Sequence, residues 1–219
     1  MGKEINLLKF YPISNRPVEE RGELVTERDR AIARKFDIEY FDKDRLTGYG
    51  GYSYNSKFWT ETVSYIKEYY DLSDDSKILD VGCAKGFMMH DLSLILPKAE
   101  ILGVDVSNYA IDNCIDSMKD KISYANANNL PYGDNHFDLV ISINTIHNLP
   151  LIDCKEALRE ISRVSKKNSF VMNDAWEDQK GKESMLKWNL TALTYMSTED
   201  WKSLFQEVGY EGDYYWFFA

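Results

Sequence analysis

Two aspartates and two glycines at the ends of successive apolar segments have the types and spacing of a cofactor site. In "ILDVGCAKGFMMHDL", Gly82 follows an apolar run and Gly86 begins a helical one. Missing side chains there let a ligand approach the backbone, and N–H groups at a helix start attract negative charge. Asp80 lies inside the apolar run, where a carboxylate is costly without a polar or cationic partner. Asp105 ends the next apolar run, placed to accept both hydroxyls of a ribose.

Each of these features has a simpler interpretation. The glycines are also compatible with an ordinary tight connection from a strand to a helix, and either aspartate alone is compatible with a turn or a helix cap. A dinucleotide fingerprint would need a third glycine three residues after the second, and that position is Met89. The combination therefore favours a site, but disfavours NAD as its ligand.

The elements that must position these residues are short apolar strands that alternate with amphipathic helices. This pattern predicts a parallel sheet covered on both faces, with ligands at the carboxyl ends of its strands. Before the sheet, helical spacing predicts a helix over residues 27–36 and a second within "SKFWTETVSYIKEYYDL". After it we expect helices near residues 182–195 and 198–207 and a last strand, "DYYWFFA". The predicted strands are "KILDVG", "EILGVDV", "FDLVISIN" and "SFVMND".

Over about residues 76–210 the sequence resembles the class I S-adenosylmethionine-dependent methyltransferases. "LDVGCAKG" looks like the first motif of this family, "GVDVS" like the second, and "YANANNLPYGDNHFDLV" resembles a third conserved stretch. The resemblance implies a doubly wound α/β fold with a mostly parallel, seven-stranded Rossmann-like sheet. It is expected to have an antiparallel C-terminal strand and an N-terminal helical cap. The expected division is residues 1–75 as cap and 76–219 as core.

The resemblance also implies which residues would contact S-adenosylmethionine and its product S-adenosylhomocysteine. Ala84 replaces the usual middle glycine of the first motif, and Asn126 stands where the family commonly has an acidic residue that faces the adenine amino group. The amide oxygen of Asn126 can still accept a hydrogen bond, but it carries no charge. Carried over residue by residue, the implied cofactor contacts are Asp80, Gly82, Ala84 and Gly86, then Asp105 on the ribose and Val106 on the adenine, and then Asn126, Ala127 and Asn144.

His147 is the candidate catalytic residue. Transfer of a methyl group from a sulfonium needs mainly alignment of the reacting atoms, but a hydroxyl or ammonium acceptor must also lose a proton, and a histidine is suited to take it. His147 follows the predicted strand "FDLVISIN" and is expected to face the pocket, whereas surface positions explain His90 and His136. A packing role for His147 is the alternative.

The acceptor is expected to contact segments outside the common core. Trp188 lies in one such segment, where it would line the pocket or pack an amphipathic helix. The stretch "TGYGGYSYN" at residues 47–55 lacks a preceding strand, so it is interpreted as a lid over the cofactor, with Tyr49, Tyr52 and Tyr54 covering the site. A surface loop packed on the second helix is the alternative.

Composition limits the partners. The net charge of −10 opposes nucleic-acid binding, and the N-terminus and the rest of the chain show neither a signal segment nor a membrane span. Cys83, Cys114 and Cys154 suit neither a disulfide framework nor a zinc site, so a cytoplasmic location and no metal are expected. The expected partner is a small-molecule acceptor.

The resulting hypothesis is methyl transfer to oxygen or nitrogen of a small polar metabolite. The alternatives are a protein or tRNA methyltransferase on the same fold, a non-catalytic S-adenosylmethionine-binding partner or sensor, and, more remotely, a nucleotide-sugar reductase. Neither the acceptor nor the oligomeric state follows from the sequence.

Overall fold

A seven-stranded sheet forms the centre of the described chain. The computed structural model describes residues 2–12, 16–50 and 53–219. The strands run in the order β3-β2-β1-β4-β5, and β6 and β7 both pair with β5. The prediction of a doubly wound α/β fold is confirmed. The strands are β1 (Lys77–Val81), β2 (Glu100–Asp105), β3 (Ile122–Tyr124), β4 (Phe137–Ile143), β5 (Ser165–Trp176), β6 (Met196–Ser197) and β7 (Asp213–Phe217).

Helices cover both faces of this sheet and precede it. Apolar side chains of the helices and strands form one large buried cluster on each face. The helices are α1 (Val18–Leu24), α2 (Glu27–Ala33), α3 (Ile38–Phe41), α4 (Thr60–Tyr69), α5 (Phe87–Ile95), α6 (Asn108–Asp112), α7 (Leu151–Val164), α8 (Gln179–Trp188) and α9 (Thr198–Val208). Within the described ranges, no helix is long and apolar enough to cross a membrane.

The strand register brings the predicted ligand residues to one edge. β1 pairs in parallel with β2 and β4, with Asp80 opposite Gly103 on one side and Ile141 on the other. Because the strands are parallel, their carboxyl ends lie side by side, and the turns that follow them meet above the sheet.

The prediction of an antiparallel C-terminal strand is wrong. β7 pairs with β5 in parallel, with Phe170 opposite Asp213 and Asp174 opposite Phe217. The physical reason is the eleven-residue helix α9, which carries the chain back along the sheet, so that the next strand starts at the same end as β5. An antiparallel strand would have needed a short hairpin there instead.

Within the described ranges, four helices precede the first strand, in agreement with the predicted helical cap. Thr26 and Asp29 form a complete capping box at the start of α2. This helix ends at Ala33, before the predicted residue 36, and Phe36 has a left-handed φ of 50°. The division into residues 1–75 and 76–219 stays a prediction.

The cap is attached to the two turns of the predicted cofactor site. The Lys85 ammonium forms an ion pair with both Asp42 oxygens at 2.6 Å, and Tyr109 donates to the same carboxylate at 2.7 Å. Ser107 donates to the Phe36 carbonyl at 2.5 Å. These contacts hold residues 36–42 above the ends of β1 and β2.

Candidate active site

A cavity of about 660 Å³ opens above the carboxyl ends of the strands. Its volume is in the range of sites that bind small molecules. Of the nine predicted cofactor contacts, only Gly86 is absent from its lining. The cavity wall contains Asp80, Gly82, Ala84, Asp105, Val106, Asn126, Ala127 and Asn144.

The turn after β1 has a left-handed backbone conformation at three positions, which leaves room for a ligand close to the main chain. Gly82, Ala84 and Gly86 all have left-handed φ angles, of 82°, 50° and 76°. A side chain at Gly82 would collide with Thr145, because a Cβ atom there would lie 2.1 Å from the Thr145 Oγ1. Gly86 lies at the N-terminus of α5, where an added Cβ would meet Ile122 at 2.9 Å. Gly86 therefore shapes the turn from behind the cavity wall.

Two buried carboxylates stand next to this turn. Asp105 accepts hydrogen bonds at 2.8 Å from the N–H groups of Ala84 and Ser107, one on each oxygen. Burial raises the pKa of Asp105, and these backbone hydrogen bonds oppose the shift. Burial, together with the charge of Asp105, raises the pKa of Asp80 to about 8. A cationic ligand would therefore meet two carboxyl groups, of which Asp80 can release a proton.

Asn144 carries an unsatisfied polar group in the cavity wall. Its backbone has a left-handed φ of 51°, held by a hydrogen bond of 2.8 Å from its N–H to the Met172 carbonyl. Its buried Oδ1 atom has no hydrogen-bond partner among the described residues. Strained backbone and an unpaired buried acceptor are costly, so a ligand donor fits this position.

Asn126 and Val106 are more exposed than the two carboxylates. The side-chain oxygen of Asn126 accepts a 3.4 Å hydrogen bond from the Asn128 N–H, and the side chain still faces the cavity. Val106 is 39% exposed, which leaves an apolar surface beside Asp105 for a flat ring. Ala127, beside Asn126, is buried.

His147 lies in the cavity wall, but its ring is already engaged. It is 2% exposed and follows β4 in a short 3-10 turn. Its Nδ1 atom accepts a hydrogen bond of 3.2 Å from the Asp174 N–H, which places the proton of a neutral ring on Nε2. Nε2 lies 3.7 Å from the Asp174 Oδ2 atom. Burial lowers the pKa of His147, and the Asp174 charge opposes the shift. The role of His147 as a base stays a prediction.

Asp174 is a cavity residue that sequence reasoning missed. It stands near the end of β5, is 5% exposed and lines the same cavity. Its Oδ2 accepts a short hydrogen bond from the Asn189 side-chain amide. Burial raises the pKa of Asp174, while His147, Asn189 and Arg16 act to lower it. The rule that singled out Asp105, an acidic residue at the end of a strand, applies equally to Asp174.

The predicted lid residues divide into two groups. The Tyr49 hydroxyl accepts a hydrogen bond of 2.7 Å from the Leu190 N–H, and its ring lies 5.8 Å from that of Trp188; both rings line the cavity. Tyr54 instead donates to Asp91 on α5, and it is not part of the cavity lining. Tyr52 lies outside the described residues, as does Gly51.

Arg21 holds the Tyr49 segment in place. Its guanidinium donates to the carbonyls of Trp188 at 3.0 Å, Arg45 at 2.9 Å and Gly48 at 3.1 Å. It also lies 4.7 Å from the centre of the Trp188 ring. The segment around Tyr49 is thus fastened to the end of α8 at one side of the cavity.

The residues present fit an adenosyl sulfonium ligand. The turn after β1 is held open by close contacts, Asp105 is a fixed acceptor for hydroxyl groups, and Val106 offers an apolar face. The unpaired Asn144 oxygen suits an ammonium donor. Each of these features faces the same cavity.

Relatives of this chain are named as methyltransferases. Over 145 residues it is 31% identical to the tRNA (carboxymethyluridine(34)-5-O)-methyltransferase of Arabidopsis thaliana, covering 65% of this chain and 33% of that protein. It is 29% identical to the malonyl-[acyl-carrier protein] O-methyltransferase of Legionella pneumophila, covering 52% and 40%. The chain thus spans well under two-thirds of both relatives.

Solved structures share the fold. A SAM dependent methyltransferase from Aquifex aeolicus superposes with a TM-score of 0.51 at 19% identity, covering 82% of this chain and 87% of that one. The family model described as "Methyltransferase domain" matches residues 72–209, which include every strand from β1 to β6. The chain therefore belongs to the methyltransferase domain family, within the class I S-adenosylmethionine-dependent methyltransferases.

Proposed function

We propose that this chain transfers a methyl group from S-adenosylmethionine to an oxygen or nitrogen atom of a small polar metabolite. The observation that carries the proposal is one continuous cavity that joins the predicted cofactor contacts to a buried acid–imidazole pair, Asp174 and His147. When bound, S-adenosylmethionine supplies an electrophilic methyl group on a sulfonium.

The protein would hold the donor with the groups around the first two strand ends. Asp105 would accept the ribose hydroxyls, Val106 would contact the adenine, and Asn126 and Ala127 would face its polar edge. Asp80 and Asn144 would lie at the amino-acid end. This assignment is supported by the cavity position of all six residues.

The other half of the cavity would hold the acceptor. Asp174 and His147 line the cavity together with aromatic side chains, including Tyr40, Tyr49 and Trp188. Such walls exclude water, and the buried pair would receive the proton that the acceptor loses.

The size of the cavity and the net charge of the chain favour a small molecule over tRNA. One curated relative is named as a tRNA methyltransferase, but the net charge of −10 here repels a phosphate backbone. The presence of an acceptor half also favours an enzyme over a non-catalytic binding protein. A cytoplasmic location remains part of the proposal.

Calorimetry with S-adenosylhomocysteine and methyl transfer from labelled S-adenosylmethionine would test this proposal. We expect binding, and label incorporated into a fractionated small-molecule extract but not into unfractionated tRNA. Binding without transfer to any fraction would support a non-catalytic role. No binding of either cofactor form would contradict the proposed function, and salt-sensitive labelling of tRNA would favour the tRNA alternative.

A further inference from the structure

Asp174 is fixed in the cavity by bonds to its backbone as well as to its side chain. Its N–H donates to the His147 Nδ1 at 3.2 Å, and its carbonyl accepts from the Trp201 indole at 3.0 Å. Its Oδ2 accepts from the Asn189 amide. A residue held at both backbone groups and at one carboxylate oxygen has little freedom to move, which is the condition for positioning a reacting group.

The Asn189 amide has only one orientation that satisfies its surroundings. Its Oδ1 atom accepts from the Ala192 N–H at 2.7 Å and from the Tyr195 hydroxyl at 3.4 Å. The Nδ2 group must then face Asp174. Asn189 is therefore a positioning residue, which fixes one oxygen of the Asp174 carboxylate.

The second Asp174 oxygen is left for a ligand. Among the described residues, no hydrogen bond reaches its Oδ1 atom, although Asp174 lines the cavity. The Oδ1 atom is not fully buried, so a hydrogen-bond donor in the cavity can reach it. While Nδ1 accepts the Asp174 N–H, the neutral His147 ring carries its proton on Nε2, so within the pair the open acceptor atom is the Asp174 Oδ1.

A cation stands in the same half of the cavity. The Arg16 guanidinium lies 4.2 Å from the centre of the Phe217 ring and donates to the Phe218 carbonyl at 3.0 Å. It lines the cavity and makes no salt bridge within 4.0 Å in the described ranges, although the more distant charge of Asp174 acts to raise the Arg16 pKa against the effect of burial. A guanidinium braced on an aromatic ring binds a carboxylate well, since its donors match both oxygens.

We propose that Asp174 takes the proton of the methyl acceptor, and that Arg16 binds a carboxylate of the same molecule. The acceptor would then be a small hydroxy or amino acid. This inference rests on the proposed methyl transfer. An ammonium acceptor first passes a proton to the Asp174 Oδ1, whereas a hydroxyl acceptor passes its proton there as it reacts. The acceptor's lone pair forms the bond to the methyl carbon, and the carbon–sulfur bond breaks with its electrons going to sulfur.

Binding measurements with matched probes test the acceptor class, first on the wild-type chain and then on one variant. The probes are lactate, serine, salicylate and anthranilate, each compared with its primary amide by calorimetry in saturating S-adenosylhomocysteine. Because charge-assisted hydrogen bonds to Arg16 would be lost, we expect the best-bound acid to exceed its amide by about tenfold or more. Arg16→Gln should abolish this preference and leave S-adenosylhomocysteine binding unchanged.

The pH dependence of turnover tests the proton acceptor. His147, Arg16, Tyr49 and Tyr195 are the titratable groups around Asp174. Turnover should fall as the pH falls through the pKa of Asp174. Asp174→Asn should lower kcat by about 100-fold or more and remove this acidic limb, while the acid probes still bind. His147→Asn keeps an acceptor for the Asp174 N–H. The fall in turnover at low pH should therefore move to a different pH but should not disappear.

Three results would overturn the inference alone, provided that S-adenosylhomocysteine binds normally. They are equal binding of acids and amides by the wild-type chain, no binding of any probe, or an Asp174→Asn variant with wild-type turnover. Absence of S-adenosylhomocysteine binding to the wild-type chain overturns the proposed function as well.

Discussion

The Ala84 N–H donates to the Asp105 carboxylate at 2.8 Å, and this bond joins the turn after β1 to the end of β2. Ala84 holds a left-handed φ of 50° at this contact, which is unfavourable for a residue with a Cβ atom. Asp105 thus fixes the turn and, under the proposed function, also binds the ribose. One carboxylate would organise both halves of the cofactor site.

Two substitutions of Asp105 should weaken cofactor binding to different extents. Asp105→Asn keeps the size but turns an amide donor toward a backbone N–H, and Asp105→Ala removes the acceptors altogether. We expect S-adenosylhomocysteine affinity to fall by about tenfold in the first and about 100-fold in the second. Calorimetry measures both. Asp116→Asn, in an exposed ion pair with Lys119, is the control; equal affinity in all three variants would contradict the assignment.

Asp80 should release a proton when S-adenosylmethionine binds. Its pKa of about 8 leaves it mostly protonated at pH 7, and a cationic ligand nearby favours the ionised form. Calorimetry in buffers of different ionisation enthalpy should then report release of up to about one proton. Asp80→Asn should abolish the buffer dependence. Equal enthalpies in all buffers for the wild-type chain would contradict this prediction.

The same carboxyl group should make the cofactor-free protein less stable as the pH rises. Its folded pKa of about 8 lies above the ordinary value of 3.8, so between these values the folded chain holds a proton that the unfolded chain lacks. Stability from this group is fully present below the lower value and is lost as the pH rises through about 8. Melting temperatures from pH 5 to 9 should show a flatter profile for Asp80→Asn; parallel profiles would contradict the prediction.

Breaking the ion pair between Asp42 and Lys85 should loosen the cap. Burial acts to raise the pKa of Asp42, but the hydrogen bonds from Lys85 and Tyr109 outweigh it and lower the pKa overall. The pair is therefore intact at neutral pH. We expect Asp42→Asn to lower the melting temperature by about 2–6 °C and to speed S-adenosylhomocysteine dissociation, as measured by stopped flow. Asp116→Asn should change neither, and a wild-type dissociation rate in Asp42→Asn would argue against a role in retaining the cofactor.

Comparison of Tyr49→Phe with Tyr54→Phe should distinguish a tyrosine that lines the cavity from one that packs outside it. Tyr49→Phe leaves the buried Leu190 N–H unpaired, which costs about 1–3 kcal/mol, and it changes the acceptor wall. Tyr54→Phe removes a hydrogen bond to Asp91 outside the cavity. Methyl-transfer assays should therefore show lower turnover for Tyr49→Phe only. A larger loss of turnover in Tyr54→Phe would reverse this assignment.

The cofactor side of the site could be predicted because its residues lie in short local motifs. Gly82 and Asp105 lie at the ends of predicted strands, and the parallel arrangement of those strands brings their ends together. On the acceptor side, the position of Asp174 near a strand end marks it in the same way, but its hydrogen bonds with Asn189 and His147 depend on distant parts of the chain, as does the contact of Arg16 with Phe217. Nothing within "SFVMNDAW" indicates those contacts. The direction of β7 was also predictable from α9, but the family pattern suggested otherwise.

Arg21 fastens the segment around Tyr49 by hydrogen bonds to main-chain carbonyls, those of Arg45, Gly48 and Trp188, and its guanidinium also lies 5.0 Å from the centre of the Tyr49 ring. Every residue type supplies such a carbonyl, so these three hydrogen bonds do not depend on which side chains the segment carries. Substitutions in it can reshape the acceptor wall while the segment keeps its place. The cap is thereby a region in which acceptor preference can diverge among descendants of this protein without rebuilding the fold.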